Sequence, residues 1–315
     1  MPTKSDNPAE YIHPLNMNGL SGRMLRMPPL GKKREILFIY GHHSSLERWF
    51  GVAQYFNKYG GVTIPDLPGF GGMDPLYKIG KRPTLDEMAD YLAAFIKLRF
   101  KRQKFTLVGL SLGFMIIIRT LQKYPELAGK VDMLVSFAGF SHHDDFRFSR
   151  RTFLMWRWGS SFFSHYLSAA FLKHVAFKRP FILAGYAVAE KVFISDVHSK
   201  IRSANDKEER KKRIDFEVRL WQCNDPQTYA SMAVTMFTLD LTGEHVDLPV
   251  HHIAVDTDRY FDAVRVEAHM RMIFKDFRPI SIDVPAHAPS VLATAEDTEP
   301  FVPPALRRLL NRKTS

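Results

Sequence analysis

A single cysteine, Cys223, stands in 315 residues, so no internal disulfide can form and a reducing compartment is the natural setting. Long apolar runs are missing as well. No stretch of eighteen apolar residues occurs, and the nearest candidates are broken by Lys173, Lys178, Glu190 and Lys191, which argues against a membrane-spanning helix. The opening fifteen residues lack the apolar core of a secretory signal. A cytoplasmic protein, soluble or peripheral to a membrane, is therefore expected. Acidic residues are in deficit: 33 Asp and Glu face 44 Lys and Arg, a net charge of +11. The excess gathers in three places: at Lys97, Arg99, Lys101, Arg102 and Lys104, at Arg147, Arg150, Arg151 and Arg157, and at Arg307, Arg308, Arg312 and Lys313. Such clusters attract anions at long range, whether as a solvated surface or against anionic lipid. No nucleic-acid fold signature accompanies them, so a nucleic-acid partner is not expected.

What is present reads as alternating strands and helices. Residues 11–17 and 23–27 suit strands joined by the turn Asn18-Gly19. Short apolar runs at 35–40, 62–65, 105–109 and 131–137 suit buried strands, and helical patterns at 46–59, 85–100 and 112–124 separate them. Thr84 with Glu87 three residues later forms a capping-box signal, and Pro125 ends the helix before it. From 141 to 247 the pattern turns helical, aromatic and basic. Alternation resumes with strands at 250–255 and 280–284 and helices at 263–275 and 304–311. The fold class expected is α/β: a doubly wound, mainly parallel sheet built from 11–140 and 248–315, with 141–247 inserted as a helical cap. Residues 1–10 are expected to be disordered.

The chemistry concentrates at Gly109-Leu110-Ser111-Leu112-Gly113, placed between a strand and a helix. A serine on so sharp a turn exposes its hydroxyl at a helix N-terminus, where free amides favour developing negative charge. A serine nucleophile needs a base, and a base needs an orienting acid. His287 follows the last strand in Val284-Pro285-Ala286-His287. Asp258 lies three residues beyond the preceding strand, with Asp256 as the second choice for the acid. Order and strand-end placement both suit a Ser–acid–His set.

These residues resemble the α/β-hydrolase family, over about 11–140 and 248–312. Tyr40-Gly41-His42-His43 resembles the family's His-Gly loop, and Asp66-Leu67-Pro68-Gly69-Phe70-Gly71 its Asp-x-Pro-Gly-x-Gly turn. The resemblance implies an oxyanion hole from the His42 and Leu112 amides. It also implies acyl transfer without a cofactor, on an ester or related bond of an apolar small molecule or lipid. A C–C bond hydrolase, an acyltransferase or a catalytically silent scaffold for ligand or membrane binding would use the same framework. Tyr40 for the usual histidine, Phe114 for a small residue, and Asp-Thr-Asp in the acid loop depart from the family pattern.

No metal is expected. His142-His143-Asp144-Asp145 would point its side chains apart in an extended chain, and nothing else has zinc spacing. One histidine of each pair, His42-His43 and His251-His252, is expected to pack on the sheet and the other to face solvent. The aromatic stretch from Phe153 to Leu172 suits three readings: a lid packed on its own core, the lining of an apolar pocket, or a surface resting on an anionic membrane.

Overall fold

The computed structural model describes residues 6–30, 34–192, 206–284, 286–289 and 292–312. Among the described residues eight strands form one sheet: β1 (Ile12–Met17), β2 (Leu20–Met27), β3 (Glu35–Ile39), β4 (Gly61–Pro65), β5 (Phe105–Leu110), β6 (Val131–Phe137), β7 (Val250–Val255) and β8 (Phe277–Ile282). Their order is β1-β2-β4-β3-β5-β6-β7-β8. Only β2 runs against its neighbours; every other pairing is parallel. Asn18 and Gly19 both take positive φ, 53° and 82°, so the β1–β2 link is a two-residue turn with Met17 opposite Leu20. That turn sets the antiparallel start of the sheet.

β3, β4 and β5 are buried at every position, which explains why they are mostly apolar, with Glu35, Thr63 and Thr106 as their buried polar members. Helices Leu85–Arg99 and Leu112–Lys123 pack against each other beside the sheet, as do Phe50–Phe56 and Ala295–Thr298. Thr84 accepts from the Glu87 amide. Glu87 does not return the bond: its carboxylate takes Lys81 Nζ at 2.6 Å, so only half of the expected capping box forms.

Three local readings differ from the expectation. β8 begins at Phe277, not at 280, because Pro279 sits on an edge strand where its missing donor costs no ladder bond. The helix expected over 46–59 is a 3-10 turn, Leu46–Trp49, followed by a shorter helix, Phe50–Phe56. His251 and His252 are both buried, because β7 lies between β6 and β8 and is covered on both faces. Of the first ten residues, Pro8–Glu10 form a single 3-10 turn, its Ala9 amide accepted by Asn7 Oδ1 at 3.1 Å.

Between β6 and β7 the described residues include a 3-10 turn, His143–Asp145, and the helices Arg150–Phe163, Tyr166–Phe171, Leu172–Ala176, Arg179–Val192, Lys207–Cys223 and Pro226–Met236. Two of them, Arg150–Phe163 and Tyr166–Phe171, pack on Pro226–Met236. No helix among the described residues is long and apolar enough to cross a membrane.

Candidate active site

Ser111 sits between β5 and the helix Leu112–Lys123 with φ 48° and ψ −118°, a conformation that L-residues rarely adopt. The surroundings hold it there. Its amide donates to the Phe137 carbonyl at 3.0 Å, and its own carbonyl accepts from Phe114 and Met115 at 2.9 and 3.2 Å. Gly113 makes the turn feasible: a Cβ at that position would stand 2.2 Å from the Ile39 carbonyl oxygen. Phe114, the departure from the family pattern, is fully buried, and it fits because residue 139 is also glycine. A Cβ on Gly139 would lie 2.6 Å from the Phe114 ring.

The loop after β3 passes beside this turn. A Cβ on Gly41 would be 3.4 Å from Ser111 Cβ, so His42 follows within one residue of the serine's surroundings. Among the described residues the His42 amide has no protein acceptor, and the Leu112 amide opens its helix and so lacks an intrahelical one. The His42 ring is fixed from above: its Nε2 donates to the Tyr229 carbonyl at 3.0 Å and the two rings lie 3.8 Å apart. Burial drives the His42 pKa down to about 3, with His43 adding to the effect and the Tyr229 carbonyl opposing it. His43 reaches Glu217 Oε2 at 3.0 Å, and Glu217 is fully buried.

Tyr40 has a structural part in the same loop. Its hydroxyl donates to Asp66 Oδ1 at 2.9 Å and accepts from the Leu67 amide at 2.8 Å. Asp66 also receives Arg23 Nε at 3.2 Å. The Asp-x-Pro-Gly-x-Gly turn is thereby tied to the end of β3.

Across the sheet's carboxyl edge, His287 Nδ1 donates to Asp258 Oδ2 at 2.7 Å. The other carboxylate oxygen accepts the amides of Tyr260 and Phe261 at 2.8 and 3.4 Å. Burial pushes the Asp258 carboxyl up, but the His287 imidazole and those two amides outweigh it and hold the group below the usual carboxylate range. The Thr257 hydroxyl donates to the Val284 carbonyl at 2.5 Å, tying the loop that carries Asp258 to the one that carries His287. Asp256 is different: it is exposed and accepts the Ser281 hydroxyl. Tyr260 and Phe261 rings stand 5.2 and 5.5 Å from the imidazole of His287. An apolar cavity borders His287, Leu110 and Ala138, lined further by Phe38, Trp49 and Phe137.

Several contributors carry no motif. Arg147 Nη1 donates to the Asp258 carbonyl at 3.1 Å, and Tyr229 and Glu217 come from helices between β6 and β7. Glu217 leaves one trace in the sequence, an acid set among Phe216, Val218 and Leu220, all buried.

The histidines at 142 and 143 do not point apart, contrary to expectation. Their rings lie 4.1 Å from each other, and His269 lies 4.2 Å from His142. The chain is a tight 3-10 turn here, not extended, and ligand atoms of His142, His143 and Asp144 fall within 4.8 Å of one another. The His142 Nδ1 lone pair is already engaged by the Asp144 amide at 3.1 Å.

The alpha/beta hydrolase fold family model matches residues 35–228. The chain belongs to the α/β-hydrolase fold family. A hydrolase from Pseudomonas aeruginosa PA01 superposes with TM-score 0.63 at 13% identity, over 92% of this chain and 94% of that one. A thermophilic esterase from Thermogutta terrifontis gives 0.58 at 16%, over 96% and 98%. The enol-lactonase of Burkholderia xenovorans LB400 gives 0.61 at 13%, over 95% and 98%. No curated protein matches the chain significantly. At these identities the α/β-hydrolase structures share the fold with this chain; its chemistry is argued from its own residues.

Proposed function

We propose that this α/β-hydrolase is a serine hydrolase that cleaves an ester or related acyl bond of an apolar small molecule or lipid, through an acyl-enzyme. The observation that carries the reading is the strained backbone of Ser111 at a helix N-terminus. A conformation costing about 1–3 kcal/mol persists where function uses it. In this reading His287 Nε2 takes the Ser111 proton as the hydroxyl oxygen attacks the acyl carbon. The donation from Nδ1 to Asp258 supports it, because it leaves Nε2 as the ring's lone pair. Asp258 then stabilises the imidazolium formed. The amides of His42 and Leu112 receive the charge on the former carbonyl oxygen, as helix-end donors suit. His287 protonates the leaving group, water attacks the acyl-serine, and the serine is regenerated.

Asp258 is chosen over Asp256 because it is buried and bonded to the imidazole, whereas Asp256 is exposed and bonded to Ser281. The helices between β6 and β7 serve as the cap over the site, a role supported by Tyr229 and Glu217 reaching the His42-His43 turn. Esterase and lactonase chemistry among structural neighbours supports the choice of an acyl bond. The test is turnover of p-nitrophenyl esters of graded acyl length by wild type and Ser111→Ala. Hydrolysis by wild type alone is expected; equal hydrolysis by Ser111→Ala would remove the serine from the mechanism.

A further inference from the structure

Charge and exposure coincide on the helices that follow β6. From residue 146 to 189 the chain holds seven Lys and Arg and not one Asp or Glu. Arg179 pairs with Asp215, and Arg147 is bound to the Asp258 carbonyl. Arg150, Arg151, Arg157, Lys173 and Lys178 are exposed, and among the described residues none of them has an ion-pair partner. Helix Arg150–Phe163 has no buried residue at all. Along it and the helices that follow, Trp158, Phe162, Tyr166, Leu167, Phe171 and Phe181 are each more than half exposed, Trp158 by 74% and Leu167 by 80%. Of the three sequence readings of this stretch, a lid packed on its own core does not describe these side chains. Phe153 does pack inward, against Phe146 and Phe237.

A water-facing surface this apolar needs an occupant. We infer that these helices dock the protein on an anionic lipid surface, with the aromatic and leucine side chains entering the headgroup–acyl boundary and the basic residues meeting lipid phosphates. Trp and Tyr have an apolar body and a polar tip and suit that boundary, and Arg and Lys reach from it on long stems. A second copy of this chain fits poorly, because it would bring the same acid-free basic surface against its own kind. Aliphatic side chains such as Leu167 and Met155 match hydrocarbon and not nucleobases. Docking does not depend on the hydrolase reading. Packing of Arg150–Phe163 on Pro226–Met236, whose Tyr229 holds His42, places the lipid one helix from the candidate site.

The test is co-sedimentation with phosphatidylcholine vesicles, with and without phosphatidylglycerol, at low ionic strength, using the full chain and its Ser111→Ala variant. Both should pellet with the anionic vesicles at least about tenfold more than with the neutral ones, and high salt should release them. Trp158→Ala/Leu167→Ala should lose more than about tenfold, since each side chain surrenders apolar burial. Arg150→Gln/Arg157→Gln should lose roughly 25-fold, about fivefold for each charge, with circular dichroism unchanged in both variants. Three outcomes would overturn the inference: no pelleting of folded wild type, retention on polyuridylate without vesicle binding, or a lipid-free dimer that Trp158→Ala/Leu167→Ala dissolves. Because Ser111→Ala is carried alongside, loss of esterase activity and loss of lipid binding are read separately.

Discussion

Replacing Asp258 by asparagine keeps the shape of the site and removes one charge. The Oδ1 atom of the new side chain can still accept the Tyr260 and Phe261 amides, now 2.8 and 3.4 Å from the carboxylate. Its amide nitrogen then faces His287 Nδ1, across the gap that measures 2.7 Å in the wild type. Two donors cannot share that bond. The ring must move its proton to Nε2, which removes the lone pair that would take the Ser111 proton, and the stabilisation of the imidazolium is lost with it. A wrong tautomer of this kind costs about 10⁴ in kcat, or about 5.5 kcal/mol of barrier. KM should change little, because Asp258 is buried behind the imidazole. The assay is p-nitrophenyl ester kinetics of Asp258→Asn and Asp256→Asn with thermal unfolding of each. Asp256→Asn, altering an exposed group, should stay within about threefold of wild type. If Asp258→Asn keeps more than a tenth of the activity while Asp256→Asn loses it, the acid has been assigned to the wrong residue.

Gly113→Ala would place a Cβ 2.2 Å from the Ile39 carbonyl and 2.5 Å from that of Tyr40, both backbone atoms. A destabilisation of about 3 kcal/mol is expected in urea unfolding, and a change below about 1 kcal/mol would contradict the tight turn. Ser111→Gly should be more stable than Ser111→Ala by about 1 kcal/mol, because glycine adopts φ 48° without the strain that alanine keeps; equal stabilities would deny it. Acid should weaken the fold through His42 and His252, whose burial lowers their pKa values to about 3 and about 4. The unfolded chain binds those protons first, near the usual histidine value of about 6.5. Their contribution is therefore complete above that pH and is lost as pH falls toward the folded values. At about pH 5 each of these two imidazoles costs about 2 kcal/mol, and His252→Gln should remove about 2 kcal/mol of the pH dependence seen in urea unfolding between pH 7.5 and 5. An unchanged dependence in that variant would contradict the assignment.

Much of this architecture could be read from local pattern, for physical reasons that also explain the misses. Buried parallel strands are mostly apolar, so the runs in β3, β5 and β6 stand out, and Asn18-Gly19 marks its turn because both residues tolerate positive φ. The serine turn was legible because glycine is obligatory at Gly113, where another chain segment touches the backbone. Pro279 hid the first half of β8, since a proline looks like a strand breaker until the strand proves to be an edge. The contacts of Tyr229, Glu217 and Arg147 had no comparable signal. They join residues far apart in sequence, and each depends on how the helices between β6 and β7 lie on the loops below. His142 and His143 would point apart only in an extended chain; the 3-10 turn that follows His142 brings the two rings together instead.

The central claim, an activated serine served by His287, is tested most directly by labelling with a fluorophosphonate probe. Wild type, Ser111→Ala and His287→Ala would be compared, each checked for folding by circular dichroism. Wild type should take up the label, and neither folded variant should. Labelling that survives in Ser111→Ala, or a well-folded wild type that takes up no probe, would contradict the claim.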